Sequence, residues 1–342
     1  MANPILVEVT RGPVVESRHR GVIAIIDSGG RTIAALGSVD EPIFPRSAVK
    51  PIQALPLVES GAADAFGLGD AELALACASH GGEPRHVEGV AAMLAKVGLD
   101  ESALECGPQW PASEEARHAL IRSGGRPTAL HNNCSGKHAG FIATARHRGW
   151  DHRGYVAPGH PVQELVRNAL SELTDTPLDG AVRGIDGCSI PAYAIRPDRL
   201  ARAFARMASG EGLPADRAQA AARLVAACQA EPFLLAGRGR FCTEAMTLFG
   251  RRLIVKTGGE GVFCAGFPGL GIGVALKCDD GATRAAEAMM AAVIVALLRP
   301  DRAELQQVQR RLNPPVLSRR GAQVGELRPA PELAALLDGV AG

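Results

Sequence analysis

A serine and a lysine near the start of the chain have a spacing that suits nucleophilic catalysis. Ser47 and Lys50 lie three positions apart, and residues with this spacing share one face of a helix. A neutral lysine can take the proton of a serine hydroxyl, and a serine at a helix start can offer its backbone N–H to a developing oxyanion. Alone, however, the Ser-x-x-Lys pattern is more often a helix cap followed by a surface lysine.

A second lysine begins the run Lys256-Thr-Gly-Gly-Glu260, which follows a predicted strand. Glycines after a basic residue at a strand end, such as Gly258, let a substrate lie close to the backbone, although the run could also start a hairpin turn. Ser-x-x-Lys after an N-terminal hairpin, combined with Lys-Thr-Gly before the last strand and helix, is the arrangement of serine β-lactamases and penicillin-binding proteins. The two motifs together therefore favour acyl transfer.

A third polar segment, Ala78-Ser-His-Gly-Gly-Glu-Pro84, separates two predicted helices. In one interpretation Ser79 or His80 caps a turn, and Glu83 stabilises the first turn of the next helix. In the other interpretation Ser79 is a second hydroxyl that relays protons within a cleft. The segment by itself favours neither.

Two cysteines and a lysine form a candidate metal site. Cys134 and Lys137 share a helix face, and Cys188, in a Gly-Cys-Ser-Ile-Pro run, is the natural partner from elsewhere in the chain. A two-cysteine zinc site needs further ligands, and lysine is a rare one because its amine must be neutral. Buried packing is the alternative, since cysteine is often buried. The spacing alone favours packing over metal binding.

Hydrophobic periodicity predicts strands at both ends of the chain and helices between them. Strands are predicted at residues 5–10, in a hairpin of 21–27 and 32–36, and at 252–255 and 271–277. A helix is predicted from Ser47 to Leu57, with Pro56 able to kink or end it. Further helices are predicted at 70–77, 83–97, 113–122, 135–148, 161–173, 197–207, 214–229 and 283–298.

The order of these elements predicts a single α/β domain of the α+β kind, in which helices flank an antiparallel sheet and a helical subdomain is inserted. We expect the sheet to be built from about residues 1–60 and 245–300, and the helical part from about 61–244. The tail, residues 301–342, carries no motif and is expected to pack on the outside. No repeat or long linker divides the chain of 342 residues.

Composition excludes several other classes of protein. With 37 basic and 36 acidic residues and 4% aromatic residues, the chain offers no basis for binding nucleic acid or an acidic membrane. Neither a signal peptide nor a membrane-spanning run is visible, so we expect a cytoplasmic protein with reduced cysteines. The histidines expected to be solvated are His19, His86, His118, His147 and His152.

The polar motifs extend into five longer blocks that follow one another along the chain. The blocks are Phe44-Pro-Arg-Ser-Ala-Val-Lys-Pro51, Ala78-Ser-His-Gly-Gly-Glu83, Asn132-Asn-Cys-Ser-Gly-Lys-His-Ala-Gly140, Asp186-Gly-Cys-Ser-Ile-Pro191 and Lys256-Thr-Gly-Gly-Glu-Gly261. In this order they resemble the Rhizobium-type, inducible (type 3) L-asparaginase family over about residues 5–300, and they are far more specific together than singly. The resemblance implies a fold like that of serine β-lactamases, and a homodimer.

The same resemblance implies roles for individual residues. Ser47 would be the nucleophile and Lys50 its base, while Ser79 and Lys256 would form a second serine–lysine pair in the cleft. One zinc ion would be bound by Cys134, Lys137 and Cys188. The residues implied to line the substrate site are Arg46, His80, His138, Asp186, Gly258 and Glu260.

The expected reaction is hydrolysis of the side-chain amide of L-asparagine to aspartate and ammonia through an ester on Ser47. Lys50 can act as its base only if its pKa is lowered, which burial and the charges of Lys256 and Lys137 would achieve. The α-ammonium of the substrate needs an acid such as Asp186 or Glu260. The alternatives are a glutaminase, a β-lactamase or D-alanyl peptidase, and a non-catalytic protein that binds zinc or an amino acid.

Overall fold

The computed structural model describes residues 2–341 and has a curled antiparallel sheet of eight strands with helices around it. The strands along the chain are β1 (Ile5–Arg11), β2 (Val14–Asp27), β3 (Thr32–Leu36), β4 (Arg183–Ile185), β5 (Pro191–Tyr193), β6 (Ile254–Thr257), β7 (Val262–Phe267), β8 (Ile272–Cys278), β9 (Pro315–Leu317) and β10 (Gln323–Pro329). In the sheet their order is β6-β7-β8-β2-β1-β10-β9, and β3 also pairs with β2. Strands β4 and β5 form a separate hairpin.

Strand β2 joins the parts of the sheet because it is long enough to pair with three neighbours. Its first half pairs with β1, and its second half pairs with β8 and β3. Residues 22–26 of this strand are buried, as are all residues of β6 and β7. Strands that are covered on both faces have continuous apolar sequences instead of alternating ones. This explains the unbroken apolar run at residues 21–26.

Helices cover the sheet and form the middle of the chain. They are α1 (Lys50–Gln53), α2 (Leu55–Glu59), α3 (Ala62–Ala65), α4 (Asp70–Ala76), α5 (Pro84–Lys96), α6 (Glu114–Arg122), α7 (Ser135–His147), α8 (Pro161–Thr174), α9 (Pro197–Ser209), α10 (Ala215–Ala230), α11 (Pro232–Leu235), α12 (Phe241–Phe249), α13 (Thr283–Leu298), α14 (Arg302–Leu312) and α15 (Pro331–Ala341). Both α9 and α13 pack on β7 and β8. Across residues 2–341, no helix is long and apolar enough to cross a membrane.

Close contact between α9 and the sheet depends on glycine in β8. A Cβ atom at Gly273 would lie 1.9 Å from the carbonyl oxygen of Ala201, so any larger residue would push the helix away. The helix is strongly amphipathic, and its apolar side chains, such as Phe204, are fully buried against the strands. This contact attaches the helical part to the sheet that carries Lys256.

The structure confirms most of the predicted elements. The strand at residues 5–10, the hairpin, and the helices predicted between residues 70 and 229 are present as β1, β2 with β3, and α4 to α10, with small shifts at their ends. These elements have strong periodicity or clear starting residues, which are local signals. Strand β7 was not predicted, because a short apolar run without alternation does not distinguish a buried strand from other buried segments.

The helix predicted from residue 47 to residue 57 is confirmed only in part: it is interrupted next to Pro56, where a kink or an end was expected, but Ser47 lies in a 3-10 turn and not in an α-helix. A 3-10 turn, Arg46–Val49, is followed by the two short helices α1 and α2, which are separated at Ala54. Each short helix has a proline, Pro51 or Pro56, in its first turn. Proline has no N–H to donate and is tolerated only there, so the chain restarts its helix at each one.

The expectation that the tail lies outside the sheet is wrong. Strand β10 pairs with β1, with Val7 opposite Pro329 and Val9 opposite Leu327, and β9 pairs with β10. The sheet therefore extends beyond residues 1–60 and 245–300. Without the tail, β1 would expose an unpaired edge next to buried apolar residues such as Leu6, and sheets usually cover such edges.

Candidate active site

A cleft of about 370 Å³ brings together residues from all five sequence blocks. The 3-10 turn before α1, the segment between α4 and α5, the start of α7, the turn between β4 and β5, and the end of β6 contribute to its walls. The residues that line it are Arg46, Ser47, Ser79, Gln109, Asn132, Asn133, Cys134, Asp186, Gly187, Cys188, Arg240, Thr257, Gly258 and Gly259.

The end of β6 lies directly against the segment that carries Ser47. A Cβ atom at Gly258 would lie 2.4 Å from the carbonyl oxygen of Pro45, so the position requires glycine. Arg46 has a φ of 51°, a left-handed conformation that is strained for a residue with a side chain. Ser47 follows this strained residue and is half-buried in the cleft wall. The predicted nucleophile therefore lies on a sharp turn beside the Lys-Thr-Gly strand.

Ser79 lies between two buried lysines. Lys50 Nζ and Lys256 Nζ are each 2.9 Å from the Ser79 hydroxyl oxygen. Lys50 Nζ also donates to the carbonyl oxygen of Ala78 at 2.6 Å, and Lys256 Nζ to that of Thr257 at 3.0 Å. A serine hydroxyl can donate one hydrogen bond and accept two, so Ser79 can transfer a proton between the two amines.

Burial brings these amines toward neutrality. It lowers the pKa of Lys256 to about 7, and the nearby charge of Lys50 adds to this effect. Burial also lowers the pKa of Lys50; the charge of Lys137 acts in the same direction, while the thiol groups of Cys134 and Cys188 oppose it. An amine with a pKa near 7 is about half neutral at neutral pH, which is the condition for a general base.

Lys50 does not contact Ser47 in the way that the i, i+3 spacing predicts. Within residues 2–341 no hydrogen bond joins these two side chains, and the Lys50 amine is held by Ser79 and by backbone carbonyls. The broken helix explains the difference, because a 3-10 turn and α1 meet between Ser47 and Lys50. The two serines nevertheless line one cleft.

The segment between α4 and α5 holds Ser79 through buried histidines. His80 Nε2 is 2.9 Å from Ser135 Oγ, and its ring stacks on that of His86 at 4.8 Å. His86 Nε2 is 2.9 Å from the carbonyl oxygen of Phe233. His80 is therefore behind the cleft wall instead of lining it.

Two histidines that were predicted to be solvated, His86 and His19, are buried, so the prediction is wrong for both. The residues next to a histidine in sequence do not reveal which distant side chains pack on it.

The predicted metal ligands are brought together in the wall of the cleft. Lys137 Nζ lies 3.1 Å from Cys188 Sγ, and Cys134 shares a hydrogen bond with Cys188. All three residues are buried, and the two cysteines line the cleft. The hydrogen bond from Cys188 lowers the pKa of Cys134 well below its usual value, and the charges of Lys137 and Lys50 add to this effect. Burial favours the neutral form of Lys137, but the charges of Cys134 and Cys188 raise its pKa above the usual value. The set thus offers a thiolate, a thiol and an ammonium that becomes a zinc donor only after it loses a proton.

An ion pair fixes the carboxylate in the cleft. Arg46 NH2 donates to Asp186 Oδ1 at 3.0 Å, and Asp186 Oδ1 also accepts the N–H of Gly187 at 2.6 Å. Burial favours the protonated acid, but the Arg46 guanidinium and the charge of Lys137 hold the pKa of Asp186 below its usual value. Asp186 is therefore an anion that a substrate cation in the cleft can meet.

Two other residues implied to line the substrate site lie elsewhere. Glu260 is exposed and faces a neighbouring pocket beside Phe44 and Lys277, so Asp186 is the acid in the cleft and Glu260 is not. His138 is buried in α7, with its Nδ1 atom 2.7 Å from the Tyr155 hydroxyl. Gly258, by contrast, lines the cleft as expected.

Sequence reasoning missed several lining residues. Gln109 and Arg240 come from segments without any recognised motif, and Asn132 and Asn133 lie in a recognised block but received no role. The available signal for Arg240 was the Gly-Arg-Gly-Arg run at residues 237–240, since closely spaced glycines mark a turn that can place a side chain.

Outside the cleft, His19, Cys278 and Asp280 form another group of residue types that bind metals. His19 Nδ1 is 2.6 Å from Asp280 Oδ2, and the Cys278 thiol donates to Asp280 Oδ1 at 3.0 Å. Arg284 lies 3.4 Å from His19 Nε2, where its charge would repel a metal cation. The group is a hydrogen-bonded link between β2 and the turn after β8.

The comparisons with known proteins agree with this geometry. Residues 7–329 match the family model described as L-asparaginase II, which is nearly the whole chain. The comparison with curated proteins found no match. The family acts on an amide, and two serines line the cleft, where one of them contacts buried lysines with lowered pKa values, an arrangement that suits amide hydrolysis. The chain therefore belongs to the L-asparaginase II family and is an amidohydrolase with L-asparaginase activity.

Proposed function

We propose that the enzyme hydrolyses free L-asparagine through a covalent intermediate on Ser47. Its hydroxyl oxygen attacks the side-chain amide carbon, ammonia leaves, and a β-aspartyl ester forms. Water then cleaves the ester, which releases aspartate and restores the hydroxyl. The observation that carries this proposal is that Ser79, which lines the same cleft as Ser47, is hydrogen-bonded to two buried lysines, Lys50 and Lys256, whose pKa values are lowered.

The proton from Ser47 passes to this group and leaves with ammonia. No hydrogen bond joins Lys50 to Ser47 in the described residues, so the Ser47 hydroxyl must approach the Lys50 amine when substrate binds for Lys50 to be the first acceptor. The hydroxyl of Ser79 then shares the proton with Lys256, which can hold it because its pKa is about 7. The same proton then goes to the departing nitrogen, so no net charge builds up in the cleft. In the second half-reaction the group takes a proton from water and returns one to Ser47.

An ammonia assay on asparagine and glutamine, with the colour change of the β-lactam nitrocefin measured beside it, tests the substrate. We expect glutamine to have a kcat/KM about 10- to 100-fold lower than asparagine, because one added methylene in a fitted cleft costs about 1–3 kcal/mol. We expect no hydrolysis of nitrocefin. Faster release of ammonia from glutamine would show that the enzyme is a glutaminase, and nitrocefin cleavage would assign it to the β-lactamases.

We also propose that Cys134, Lys137 and Cys188 bind one zinc ion. Two sulfur atoms and one amine are zinc donors, and a water from the cleft can complete a tetrahedron. The buried thiolate makes the site attractive to a cation, and Lys137 must lose its proton to bind. Bound zinc would supply positive charge that orders this wall of the cleft. Ser47 and the lysines already account for the nucleophile and the base.

The zinc proposal predicts an effect on substrate affinity. We expect about one zinc ion per chain by mass spectrometry, and both chelation and Cys134→Ser are expected to raise KM by about 10-fold with a smaller effect on kcat. Cys278→Ser is the matched control, because this cysteine lies outside the cleft and serine can keep its hydrogen bond to Asp280. Full activity of metal-free protein at low asparagine concentration would contradict the proposal.

A cytoplasmic location and a β-lactamase-like fold complete the proposal. All eight cysteines are free, and Cys134 contacts Cys188, so an oxidising compartment would tend to join them. A Cys134–Cys188 disulfide in protein taken directly from cells would contradict this location.

The β-lactamase-like fold is inferred from Ser47 at the start of a 3-10 turn beside a Lys-Thr-Gly run on an edge strand, β6.

A homodimer is the proposed assembly. Beside the cleft, the side chains of Phe44, Val182 and Ile185 are 40%, 73% and 64% exposed, and a second copy of the chain could cover them. Light scattering in solution tests this assembly, since a monomeric mass at high protein concentration would contradict it.

A further inference from the structure

Arg240 is a cation in the cleft whose charge no neighbouring anion neutralises. It is half-buried, and in the described part of the chain its guanidinium makes no hydrogen bond and no ion pair. The other arginine in the cleft, Arg46, is paired with Asp186 at 3.0 Å. The charge of Arg240 acts to lower the pKa of Glu287, but the ion-pair partner of Glu287 is Arg311, at 2.9 Å. A guanidinium with five donors in the wall of the cleft therefore lacks an anionic partner.

The backbone holds Arg240 in place before any ligand binds. Thr243 Oγ1 donates to the carbonyl oxygen of Gly237 at 2.7 Å, and the N–H of Arg238 donates to Glu83 Oε1 at 2.8 Å. Gly237 has a φ of 115°, and a Cβ atom there would lie 2.7 Å from Glu83 Oε1, so the turn requires glycine. Arg240 ends this anchored turn and immediately precedes α12.

The unpaired charge matches a part of the substrate that the reaction does not use. L-asparagine has an α-carboxylate and an α-ammonium in addition to its reacting amide. Asp186 gives the cleft a carboxylate for the ammonium, and Arg240 gives it a planar guanidinium, which binds carboxylates with two parallel hydrogen bonds. We propose that Arg240 binds the α-carboxylate of the substrate, an inference that rests on free L-asparagine being the substrate.

This assignment makes Arg240 a specificity residue. It favours free asparagine over amides without an α-carboxylate, and over an asparagine residue whose carboxylate is blocked in a peptide bond. The charge of Arg240 also lowers the pKa of Lys256, and the test must distinguish this effect from binding of the carboxylate. That effect acts on every amide substrate equally, whereas carboxylate binding acts only on substrates that have the carboxylate.

The test compares L-asparagine with 3-aminopropanamide, which differs only by lacking the α-carboxylate. We expect Arg240→Ala to lower kcat/KM for asparagine by about 10- to 100-fold, mainly through KM, as is typical when a charged hydrogen bond is lost. The kcat/KM for 3-aminopropanamide should change much less. The ratio of the two kcat/KM values, asparagine over 3-aminopropanamide, should therefore fall by nearly the same factor as the kcat/KM for asparagine. Where turnover of 3-aminopropanamide is too slow to assay, its inhibition constant against asparagine gives the same comparison.

Two further variants sharpen this test. Arg238→Ala removes the same charge from the same turn, but this side chain is 74% exposed and does not line the cleft, so KM should stay unchanged. Arg240→Lys keeps the charge without the paired donors and should fall between wild type and Arg240→Ala. An equal loss for both substrates, or an unchanged KM for asparagine, would overturn the assignment. A wild-type enzyme that releases no ammonia from asparagine would instead contradict the proposed substrate.

Discussion

Ser47→Ala is expected to lower kcat for asparagine hydrolysis by about 10³-fold or more, with the fold intact. The reason is that the variant lacks the oxygen on which we propose that the β-aspartyl ester forms, and removal of a nucleophile leaves only the binding and polarisation of the substrate. Steady-state release of ammonia measures the loss, and circular dichroism checks the fold.

The second serine in the cleft is the internal control for this experiment. Ser79→Ala removes the hydroxyl that joins Lys50 and Lys256 but leaves the proposed nucleophile, so it is expected to slow both half-reactions by about 10²-fold. Acid-quenched samples of Ser79→Ala should still carry an aspartyl ester on Ser47 by peptide mass spectrometry. Near-normal turnover by Ser47→Ala, or an ester on Ser79, would reverse the roles assigned to the two serines.

Lys256→Met is expected to make the protein more stable and nearly inactive. The loss of a general base that shares the Ser79 hydroxyl should cost about 10²- to 10⁴-fold in kcat.

In the wild type, the neutral form of Lys256 increases as pH passes its pKa of about 7, so kcat/KM should rise with pH around this value. Ammonia assays from pH 5.5 to 8.5 measure both results.

The gain in stability depends on pH with a definite sign. The pKa of Lys256 is about 7 in the folded protein against a usual value of 10.5, which corresponds to a cost of about 5 kcal/mol below pH 7. This cost decreases as pH rises from 7 to 10.5, because the folded protein has then lost a proton that the unfolded chain still holds, and proton loss becomes easier as pH rises. Methionine leaves the carbonyl oxygen of Thr257 without its donor, so we expect a net gain in unfolding free energy of about 2 kcal/mol at pH 6.

Denaturant unfolding of both proteins at pH 6 and pH 10 measures this difference. It should shrink at pH 10, where Lys256 is neutral in the folded protein and the unfolded chain has begun to lose its proton, which leaves a cost of about 1 kcal/mol. Lys96→Met is the matched control, because this lysine is paired with Glu72 near the surface and lies outside the cleft. A difference between wild type and Lys256→Met that is independent of pH would contradict a buried amine with a lowered pKa.

Local signals in the sequence were sufficient for the helices between residues 70 and 229 and for most of the polar residues that meet in and behind the cleft. Helix starts and apolar periodicity depend on residues a few positions apart, which is why α4 to α10 were predicted well. The spacing of Cys134 and Lys137 also placed both residues near Cys188, although Cys134 lies immediately before α7 and not within it. Ser47, Ser79 and Lys256 were recognised from motifs, and the structure brings all three together.

Only the tertiary structure decided how these groups are connected. Prolines break the predicted helix after Ser47, so Lys50 donates to Ser79, which is 29 positions away in the chain. The tail completes the sheet by pairing with β1, a contact between the two ends of the chain.

The tertiary structure also decided which residues line the cleft. Glu260 was expected at the substrate site but is exposed outside it, whereas Arg240, which has no motif, lines the cleft. Burial, pairing and the lowered pKa of Lys256 arise from contacts between residues far apart in sequence. Periodicity and spacing carry no information about such contacts, so the sequence determined which chemical groups this enzyme has, and the packing of distant segments decided which of them meet.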